Sequence, residues 1–492
     1  MPQVRTGKIE FPHLVLCFSL IFLVFATLCA LAQVVPAGTP SKFAYVANQH
    51  ANTISGYVID GTTGFLTELP GSPFPAGNSP RSLSADVRGR FLYEADWYSA
   101  SVSAYVINAS TGALTAVPGS PFPAGAEMAA VVVHPSGKFV YAANQYDSTI
   151  SAYTINPASG ALIQVAGSPY GSGFWPVGLA VAPSGKFLYS ANWISSSVSA
   201  FAIDSITGEL TEIAGSPFPA GSEAFQVAIS PSGSFAYVAA QSDTVFAYTV
   251  NNATGALTAI PGSPFAAGLG PYYAAVDPLG KFLYVANFYS SNVSGYTINQ
   301  ASGVLTPIPS SPFQAGVWPG GLAIEQSGRF LYTANFASDN SSGFRIDPST
   351  GSLTVLAGSP FAAGFRPISV TTIRPDTTPP LITLSVTPNR LWPANGKMAP
   401  VVVSGQITDT ESGVNTNEVG FLVSDEYGLV HPRGAISLGP GGTYSFTIML
   451  QASRLGSDRK GRHYTVTILA SDNAGNIGSQ TITVIVPHDQ GN

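Results

Sequence analysis

Charged side chains are scarce in this chain, since Asp, Glu, Lys and Arg make up 9% of its 492 residues. The formal net charge at pH 7 is −6. A nucleic-acid-binding surface needs a dense patch of Lys and Arg to neutralise phosphates. The small, mildly acidic charge therefore argues against nucleic acid as a partner. The polar surface must instead consist mainly of Ser, Thr, Asn and Gly.

Cysteine is nearly absent, and the chain has only six histidines. Its two cysteines, Cys17 and Cys29, both lie in an apolar N-terminal segment. If that segment is removed, the remaining chain can form no disulfide and offers no thiolate to a metal. Because zinc sites are built from clustered Cys and His ligands, a catalytic zinc centre is not expected.

The N-terminal segment, residues 1–32, is predicted to be a signal peptide. Arg5 and Lys8 precede an apolar run from Leu14 to Ala32, which ends in small residues suited to cleavage. The alternative is a membrane anchor, but the run has about 18–19 residues, near the lower limit for a spanning helix. We expect cleavage, an extracytoplasmic location (periplasm, secreted or cell surface) and no stable membrane span afterwards.

A helical pattern is also missing, because the apolar residues do not recur with a 3.6-residue period. What recurs is the tetrapeptide Gly-Ser-Pro-Phe, or a close variant, in seven copies spaced by 47 or 48 residues. The copies start at Gly71, Gly119, Gly167, Gly215, Gly262, Ser310 and Gly358. A near-fixed period of this length is typical of a repeat architecture in which each copy is one structural unit.

Each repeat contains four short runs rich in Val, Ile, Tyr and Phe, bounded by Gly, Pro, Ser and Asn. Four antiparallel strands in a repeat of this length indicate one blade of a β-propeller. A Tyr in the second run of every copy confirms the count of seven. These residues are Tyr45, Tyr93, Tyr141, Tyr189, Tyr237, Tyr284 and Tyr332. A turn glycine also recurs seven times, as Gly64, Gly112, Gly160, Gly208, Gly255, Gly303 and Gly351.

The two ends of the repeat region complement one another. The first copy begins at Phe43 with its second strand, and the missing first strand appears at the other end as Ile368–Ile373. We expect these two segments to pair and close the ring, because closure removes the open edge that an all-β chain must avoid. The predicted fold is all-β, with a seven-bladed β-propeller over residues 41–374.

Beyond the repeats the chain changes character. Residues 375–380 read Pro-Asp-Thr-Thr-Pro-Pro and are predicted to be a stiff linker. Residues 381–487 contain about seven alternating strands, which favours an immunoglobulin-like β-sandwich. This region resembles bacterial Ig-like modules through the segments Leu391–Met398 and Ser471–Asn476.

Four acidic residues near this second domain are candidate metal ligands. Asp376 lies in the linker, Asp409 and Glu411 follow one strand, and Asp472 follows another. Neighbouring loops of a sandwich would bring them together, and oxygen ligands of this kind suit Ca²⁺. The alternative is that they cap their loops as Asx turns. A structural calcium ion is the one cofactor considered.

Two segments of each blade are expected on one face of the propeller, here called the variable face. They are the linker that precedes the first strand and the loop that follows the second strand. Its residues differ between copies, and variation on a rigid scaffold is where binding groups are usually found. The position eight residues after each tetrapeptide start holds Ser79, Glu127, Trp175, Glu223, Gly270, Trp318 and Arg366. The loops after the second strands hold Asp96, Trp97, Tyr146, Trp193, Phe288, Tyr289 and Phe336.

Aromatic residues of the variable face form a predicted ligand platform. The candidate ligand-binding residues are Trp97, Trp175, Trp193, Tyr272 and Trp318. Aromatic faces bind the apolar surfaces of sugar rings while nearby polar groups orient them. The alternative is that these side chains are hydrophobic plugs over the blade ends. The expected partner is a carbohydrate or a protein, and the molecule is expected to be a monomer.

Conserved-looking motifs within the repeat relate it to a known family. One copy reads Pro-Ser-Gly-Lys-Phe-Leu-Tyr-Ser-Ala-Asn over Pro183–Asn192, followed by a Val-Ser-x-Phe/Tyr strand and a Thr-Gly-x-Leu turn. In these motifs residues 41–374 resemble the lactonase (cycloisomerase-2, 6-phosphogluconolactonase-like) seven-bladed propellers and the related Tyr-Val-Thr-Asn repeat proteins. The resemblance implies hydrolysis of a sugar lactone without a metal. Family members often carry Pro-Arg-His before the inner strand, where this chain has Pro80, Arg81 and Ser82.

Four charged residues of the variable face are candidates for such catalysis. Glu127 and Glu223 lie two blades apart, and a carboxylate there would act as general base on water that attacks a lactone carbonyl. Arg81 and Arg366, on neighbouring blades, would hold a carboxylate or phosphate and stabilise an oxyanion. The alternative is simple Glu–Arg pairing at the rim.

Two functions are compatible with these features. The favoured hypothesis is an exported binding or interaction protein with a carbohydrate ligand, because the variable face is aromatic and Ser82 replaces the family histidine. The alternative is a metal-independent lactone hydrolase of the 6-phosphogluconolactonase type.

Overall fold

The computed structural model describes residues 42–374, 376, 378–409, 413–428, 432–472 and 476–488. The predicted signal peptide and Glu411 lie outside these residues. The described chain is built from β-strands and one 3₁₀ turn, Pro440–Gly442. Within it, no helix is long and apolar enough to cross a membrane.

Seven antiparallel sheets of one design follow each other along the first part of the chain. In blade order, the first strands are Pro367–Ile373, Pro80–Ala85, Met128–Val133, Pro176–Val181, Ala224–Ile229, Pro271–Val276 and Pro319–Ile324. The second strands are Lys42–Asn48, Phe91–Asp96, Phe139–Asn144, Phe187–Asn192, Phe235–Ala240, Phe282–Asn287 and Phe330–Asn335. First strands of neighbouring blades pack against one another around the ring.

The outer part of each sheet consists of a long third strand flanked by short segments. The third strands are Thr53–Ile59, Ser101–Ile107, Thr149–Ile155, Ser197–Ile203, Thr244–Val250, Asn292–Ile298 and Asn340–Ile346. The fourth strands are Leu66–Glu68, Leu114–Ala116, Leu162–Gln164, Leu210–Glu212, Leu257–Ala259, Leu305–Pro307 and Leu353–Val355. Two-residue strands begin at the last residue of each tetrapeptide and also pair with the third strand. They are Phe74–Pro75, Phe122–Pro123, Tyr170–Gly171, Phe218–Pro219, Phe265–Ala266, Phe313–Gln314 and Phe361–Ala362.

The repeated tyrosines and turn glycines form the joints between blades. Each Tyr hydroxyl donates a hydrogen bond of 2.6–3.0 Å to the carbonyl of the turn glycine in the next blade. The pairs are Tyr45–Gly112, Tyr93–Gly160, Tyr141–Gly208, Tyr189–Gly255, Tyr237–Gly303, Tyr284–Gly351 and Tyr332–Gly64. The glycines have φ between +72° and +78°, a region that side chains with a Cβ avoid. A Cβ at Gly160, for example, would overlap the ring of Phe91 in the preceding blade.

The ring closes between the two ends of the repeat region. The strand Pro367–Ile373 pairs antiparallel with Lys42–Asn48, with Phe43 opposite Ile373. The first blade therefore combines strands from both ends of the propeller. The joint between Tyr332 of the seventh blade and Gly64 of the first spans the same closure.

The C-terminal domain consists of two antiparallel sheets that share one core. The three-stranded sheet contains Leu381–Thr387, Met398–Thr408 and Thr443–Gln451. The four-stranded sheet contains Arg433–Ala435, Val414–Asp425, Arg462–Asp472 and Ile477–Val486. Buried residues of both, such as Val401 and Val466, belong to the same hydrophobic cluster. The predicted all-β fold, a seven-bladed propeller followed by a β-sandwich, is confirmed.

Candidate functional site

The variable face is organised by one backbone arrangement that recurs in every blade. The seven residues that lie eight positions after the tetrapeptide starts, here called linker positions, all have φ between +51° and +66°. Six of the seven are not glycine. Bulky residues with positive φ are uncommon and persist only where the surrounding structure holds them.

Hydrogen bonds explain how this conformation is held. The carbonyl of each linker position accepts a bond from the amide of the residue directly after the second strand of the same blade, here called the loop position. The loop positions are Gln49, Trp97, Gln145, Trp193, Gln241, Phe288 and Phe336. In five blades the linker amide also donates to an Asn, Ser or Asp side chain of the preceding blade. Every blade except the sixth, which has Gly270, therefore presents two adjacent, variable side chains at the channel mouth.

Side chains from blades two to five enclose a cavity of about 280 Å³, here called the mouth pocket. Its walls are Arg81, Trp97, Glu127, Gln145, Trp175, Val177, Trp193 and Phe225. A small buried cluster that contains Val177 and Phe225 supports Trp97 and Trp193. Next to the mouth pocket lies a cavity of about 340 Å³ between the first strands, here called the channel cavity. Arg81, Val177 and Phe225 line both cavities.

Arg81 provides the positive charge of the mouth pocket. Its Cζ lies 3.7 Å from the ring centroid of Trp97, and its Nη2 donates to the Tyr272 hydroxyl at 3.3 Å. Burial lowers the pKa of the guanidinium, while Tyr272 and Glu127 oppose that shift. Among the described residues, no carboxylate lies within ion-pairing distance of Arg81. A partly buried cation without a direct ion-pair partner favours the binding of an anion.

Two polar atoms on the pocket walls lack partners. Oε1 of Gln145 and Nε1 of Trp193 are buried, and neither forms a hydrogen bond within the described protein. Gln145 as a whole is 4% exposed. Because an unpaired buried polar atom costs about 1–3 kcal/mol, such atoms are rare unless a ligand or water completes them. One acceptor and one donor on adjacent blades thus lack a partner among the described residues.

Aromatic rings continue around the rest of the mouth. Trp175 stacks on Trp193 with a centroid distance of 5.3 Å. On the other side, Tyr272 stacks on Phe288 at 5.1 Å and Phe288 stacks on Trp318 at 5.3 Å. The variable face therefore carries an aromatic surface that surrounds one polar pocket.

Comparison with known proteins assigns the propeller to a family. The model of the family "Lactonase, 7-bladed beta-propeller" matches residues 34–125, 116–223, 214–315 and 275–365. The chain belongs to this family. A comparison with curated protein sequences found no match.

Solved structures that are similar to this lactonase-family protein share its propeller fold. A protein from Bacteroides uniformis, provisionally named a 6-phosphogluconolactonase, is 19% identical and has a TM-score of 0.61, over 68% of this chain and 100% of its own. A similarly named protein from Bacteroides fragilis is 21% identical with a TM-score of 0.61, over 68% and 99%. The periplasmic gluconolactonase of Pseudomonas aeruginosa is 18% identical with a TM-score of 0.58, over 68% and 99%.

The predicted charged residues of this lactonase-family protein fall into two groups. Arg81 and Glu127 line the mouth pocket together, whereas Glu223 and Arg366 are not among its lining residues. Glu223 is exposed, and the guanidinium of Arg366 lies over the ring of Phe336 at 4.9 Å. The catalytic roles of all four remain predictions.

The predicted aromatic residues divide in a similar way. Trp97, Trp175 and Trp193 line the mouth pocket. Tyr272 lines the channel cavity and contacts Arg81. Trp318 is 37% exposed and lies on the Phe288 ring outside the pocket. The structure thus brings three of the five candidates around one cavity, and the ligand-binding roles remain predictions.

Asp96 was expected in a loop of the variable face, but it ends the second strand of its blade and is fully buried. Glu94, which lies two residues earlier in that strand, is fully buried as well. Asp96 accepts hydrogen bonds from Ser101 and Ser103 at 2.8 Å. Burial raises the pKa of both carboxyls, and Asp96 raises that of Glu94 further. Five other blades carry Asn at the position of Asp96. Asp96 is buried and not exposed as expected, because neighbouring blades cover both faces of every second strand.

Three of the four predicted metal ligands do converge in the C-terminal domain. Carboxylate oxygens of Asp376, Asp409 and Asp472, here called the carboxylate cluster, all lie within 4.8 Å of one another. Asp376 is 3% exposed and Asp472 is 1% exposed. The Asn476 side chain donates to Oδ2 of Asp472 at 2.7 Å. Calcium binding at this cluster remains a prediction, and Glu411 lies outside the described residues.

Sequence reasoning missed three residues of the pocket, namely Gln145, Val177 and Phe225. Gln145 and Phe225 were not singled out, because neither a lone glutamine nor a lone phenylalanine carries a chemical signal. The repeat did contain the signal for Gln145, which occupies the same loop position as Trp97 and Trp193. Phe225 follows a linker position by two residues, as Arg81 and Tyr272 do in their blades.

Proposed function

We propose that this lactonase-family protein is an exported binding protein that holds a carbohydrate in the mouth pocket. The observation that carries the proposal is a pair of polar atoms without a partner among the described residues, Oε1 of Gln145 and Nε1 of Trp193, in a pocket whose walls include four aromatic rings. Sugar hydroxyls both donate and accept hydrogen bonds, so one sugar can complete both atoms. The apolar run from Leu14 to Ala32 supports export.

The aromatic walls support the same ligand class. Sugar rings have apolar faces that pack on indole rings, and Trp97, Trp175 and Trp193 are all half-buried at the pocket. Small-molecule sites typically combine such apolar walls with a few convergent polar groups. The mouth pocket has this composition, whereas hydrophobic plugs would require no unpaired polar atoms between them.

Calorimetric titration of the whole protein with neutral and acidic monosaccharides and aldonolactones tests the proposal. We expect saturable binding that Gln145→Ala weakens, because the ligand hydroxyl loses its acceptor. Gln241→Ala is the matched control, since Gln241 occupies the same loop position in the fifth blade and does not line the pocket. Equal affinity in both variants, or no binding by any sugar, would contradict the proposal.

A second candidate function is lactone hydrolysis, which is favoured by family membership and by Glu127 at the pocket wall near Arg81. In this reaction Glu127 takes a proton from water, and the water oxygen attacks the lactone carbonyl. Arg81 donates hydrogen bonds to the resulting oxyanion. The ring C–O bond then breaks, Glu127 returns its proton to the ring oxygen, and a hydroxy acid leaves.

Glu127→Gln separates the two candidates. The hydrolase hypothesis expects a loss of lactone hydrolysis of at least about a hundredfold, since general-base catalysis is worth about 10²–10⁴ in rate. Glu223→Gln is the matched control at the same linker position outside the pocket. If wild-type protein hydrolyses no aldonolactone above background, or Glu127→Gln is fully active, only the binding function stands.

A further inference from the structure

We infer that the ligand of the mouth pocket is a sugar with one carboxylate, a uronic acid unit, whose carboxylate pairs with Arg81. This inference rests on the proposed function, because it names the class of carbohydrate that the pocket takes. A uronic acid differs from a phosphorylated sugar, whose phosphate group carries two negative charges near neutral pH.

The first argument is the unbalanced charge of Arg81. A guanidinium has five N–H groups, and among the described residues only Nη2 of Arg81 has a hydrogen-bond partner, the Tyr272 hydroxyl. The remaining nitrogens, Nε and Nη1, are not sealed in the interior, and the residue lines both cavities. Trp97 covers one face of the guanidinium, so the edge of the guanidinium is what remains for a ligand. A planar carboxylate matches that edge with two parallel hydrogen bonds.

The second argument concerns the number of charges. Among the residues that line the mouth pocket and the channel cavity, Arg81 is the only one with a positive side chain. Glu127 adds a negative charge to the mouth pocket. A group with two negative charges would be only half neutralised by Arg81 and would be repelled by Glu127. A single carboxylate meets about half of that repulsion, and Arg81 can pair with its whole charge.

The third argument is the pattern of donors and acceptors away from Arg81. Oε1 of Gln145 and the Glu127 carboxylate accept hydrogen bonds, and Nε1 of Trp193 donates one. These groups suit hydroxyls, which donate to the first two and accept from the third. Glu127 also sets the orientation, because it repels the ligand carboxylate toward Arg81. The cavity of about 280 Å³ is at the small end of ligand sites, as expected for one sugar unit.

Calorimetric titration with glucuronate, glucose and glucose 6-phosphate tests the inference on the whole protein. We expect glucuronate to bind at least about tenfold more tightly than either other sugar, as a charge-assisted pair typically provides. Arg81→Gln should reduce the affinity for glucuronate to that for glucose. Arg345→Gln, which alters an exposed arginine over the Phe330 ring and outside both cavities, should leave the affinity for glucuronate unchanged.

The other outcomes are distinct. Equal binding of glucuronate and glucose overturns the inference and leaves the proposed function in place. Tightest binding of glucose 6-phosphate overturns it in favour of a phosphate ligand. No binding of any sugar overturns the proposed function, and the inference with it. Arg81→Lys keeps the charge but loses the paired geometry, so it should retain part of the preference if Arg81→Gln does not fold.

Discussion

Replacing Tyr93 or Tyr332 by Phe removes one hydroxyl from a joint between blades. Tyr93 donates to Gly160 at 2.9 Å between the second and third blades. Tyr332 donates to Gly64 at 2.6 Å across the closure between the seventh blade and the first. Both tyrosines and both glycines are buried, so each substitution leaves a carbonyl oxygen without a partner and without access to water. An unmet buried group costs about 1–3 kcal/mol, and we expect that loss in the free energy of unfolding of each variant.

The comparison of the two positions tests whether the ring behaves as one cooperative unit. If the closure is as strong as the other joints, Tyr332→Phe should shift the whole denaturation transition by the same amount as Tyr93→Phe. Urea denaturation followed by tryptophan fluorescence and by circular dichroism measures both shifts. Tyr146→Phe is the control, because Tyr146 is 65% exposed. Unchanged midpoints in both variants, or an additional early transition in Tyr332→Phe alone, would refute the reasoning.

Three further predictions concern individual sites. Because burial raises the pKa of Glu94 and Asp96, folding favours their protonated forms, and stability should fall as the pH rises above their usual pKa values of 4.5 and 3.8. Asp96→Asn should flatten that fall in denaturation curves recorded from pH 4 to 8, and an unchanged slope would contradict the assignment. Trp175→Ala should weaken sugar binding by about tenfold or less if the ring is a platform, whereas a plug should instead cost about 3 kcal/mol or more of stability. Calcium should raise the melting temperature if the carboxylate cluster binds it, and Asp472→Asn should abolish the effect; equal melting with calcium and with a chelator in wild-type protein would contradict binding.

The period of the sequence allowed the propeller and its blade count to be predicted. The repeated tyrosines and glycines that indicate the number of blades also form hydrogen bonds with one another. That pairing was not predictable, because the partners belong to different repeats and lie about 67 residues apart, or 268 across the closure. Periodicity places residues within a repeat, while contacts between repeats depend on how the blades turn about the axis.

Burial was predicted less well than strand position. Asp96 was placed in a loop of the variable face because it ends a second strand, yet it is fully buried. His134 is 6% exposed, and its Nε2 lies 2.8 Å from the carbonyl of Gly185 in the next blade. Arg462 is also buried, and it pairs with Asp425 at 2.6 Å. A polar residue at a blade interface is easily predicted to be exposed, because the sequence of its own repeat does not indicate which side chains of the neighbouring blade cover it.

The candidate site was partly predictable for a related reason. The repeat register correctly indicates which positions share a face. It therefore identifies Arg81, Glu127 and three of the tryptophans, all of which line the mouth pocket, as candidate site residues. Which of the seven blades enclose a cavity depends on side-chain sizes around the whole ring. Glu223 is therefore indistinguishable from Glu127 by register, although only Glu127 lines the mouth pocket.

The occupancy of the mouth pocket is tested most directly by the indole N–H signals of the chain's five tryptophans in ¹⁵N-labelled protein. The signal of Trp193, assigned by its loss in Trp193→Phe, reports an N–H that has no partner in the described protein. On saturation with a sugar it should shift downfield as it gains an acceptor, while the signal of Trp392 in the C-terminal domain stays in place. Saturable sugar binding that leaves the Trp193 signal unmoved would contradict the assignment of the mouth pocket as the ligand site.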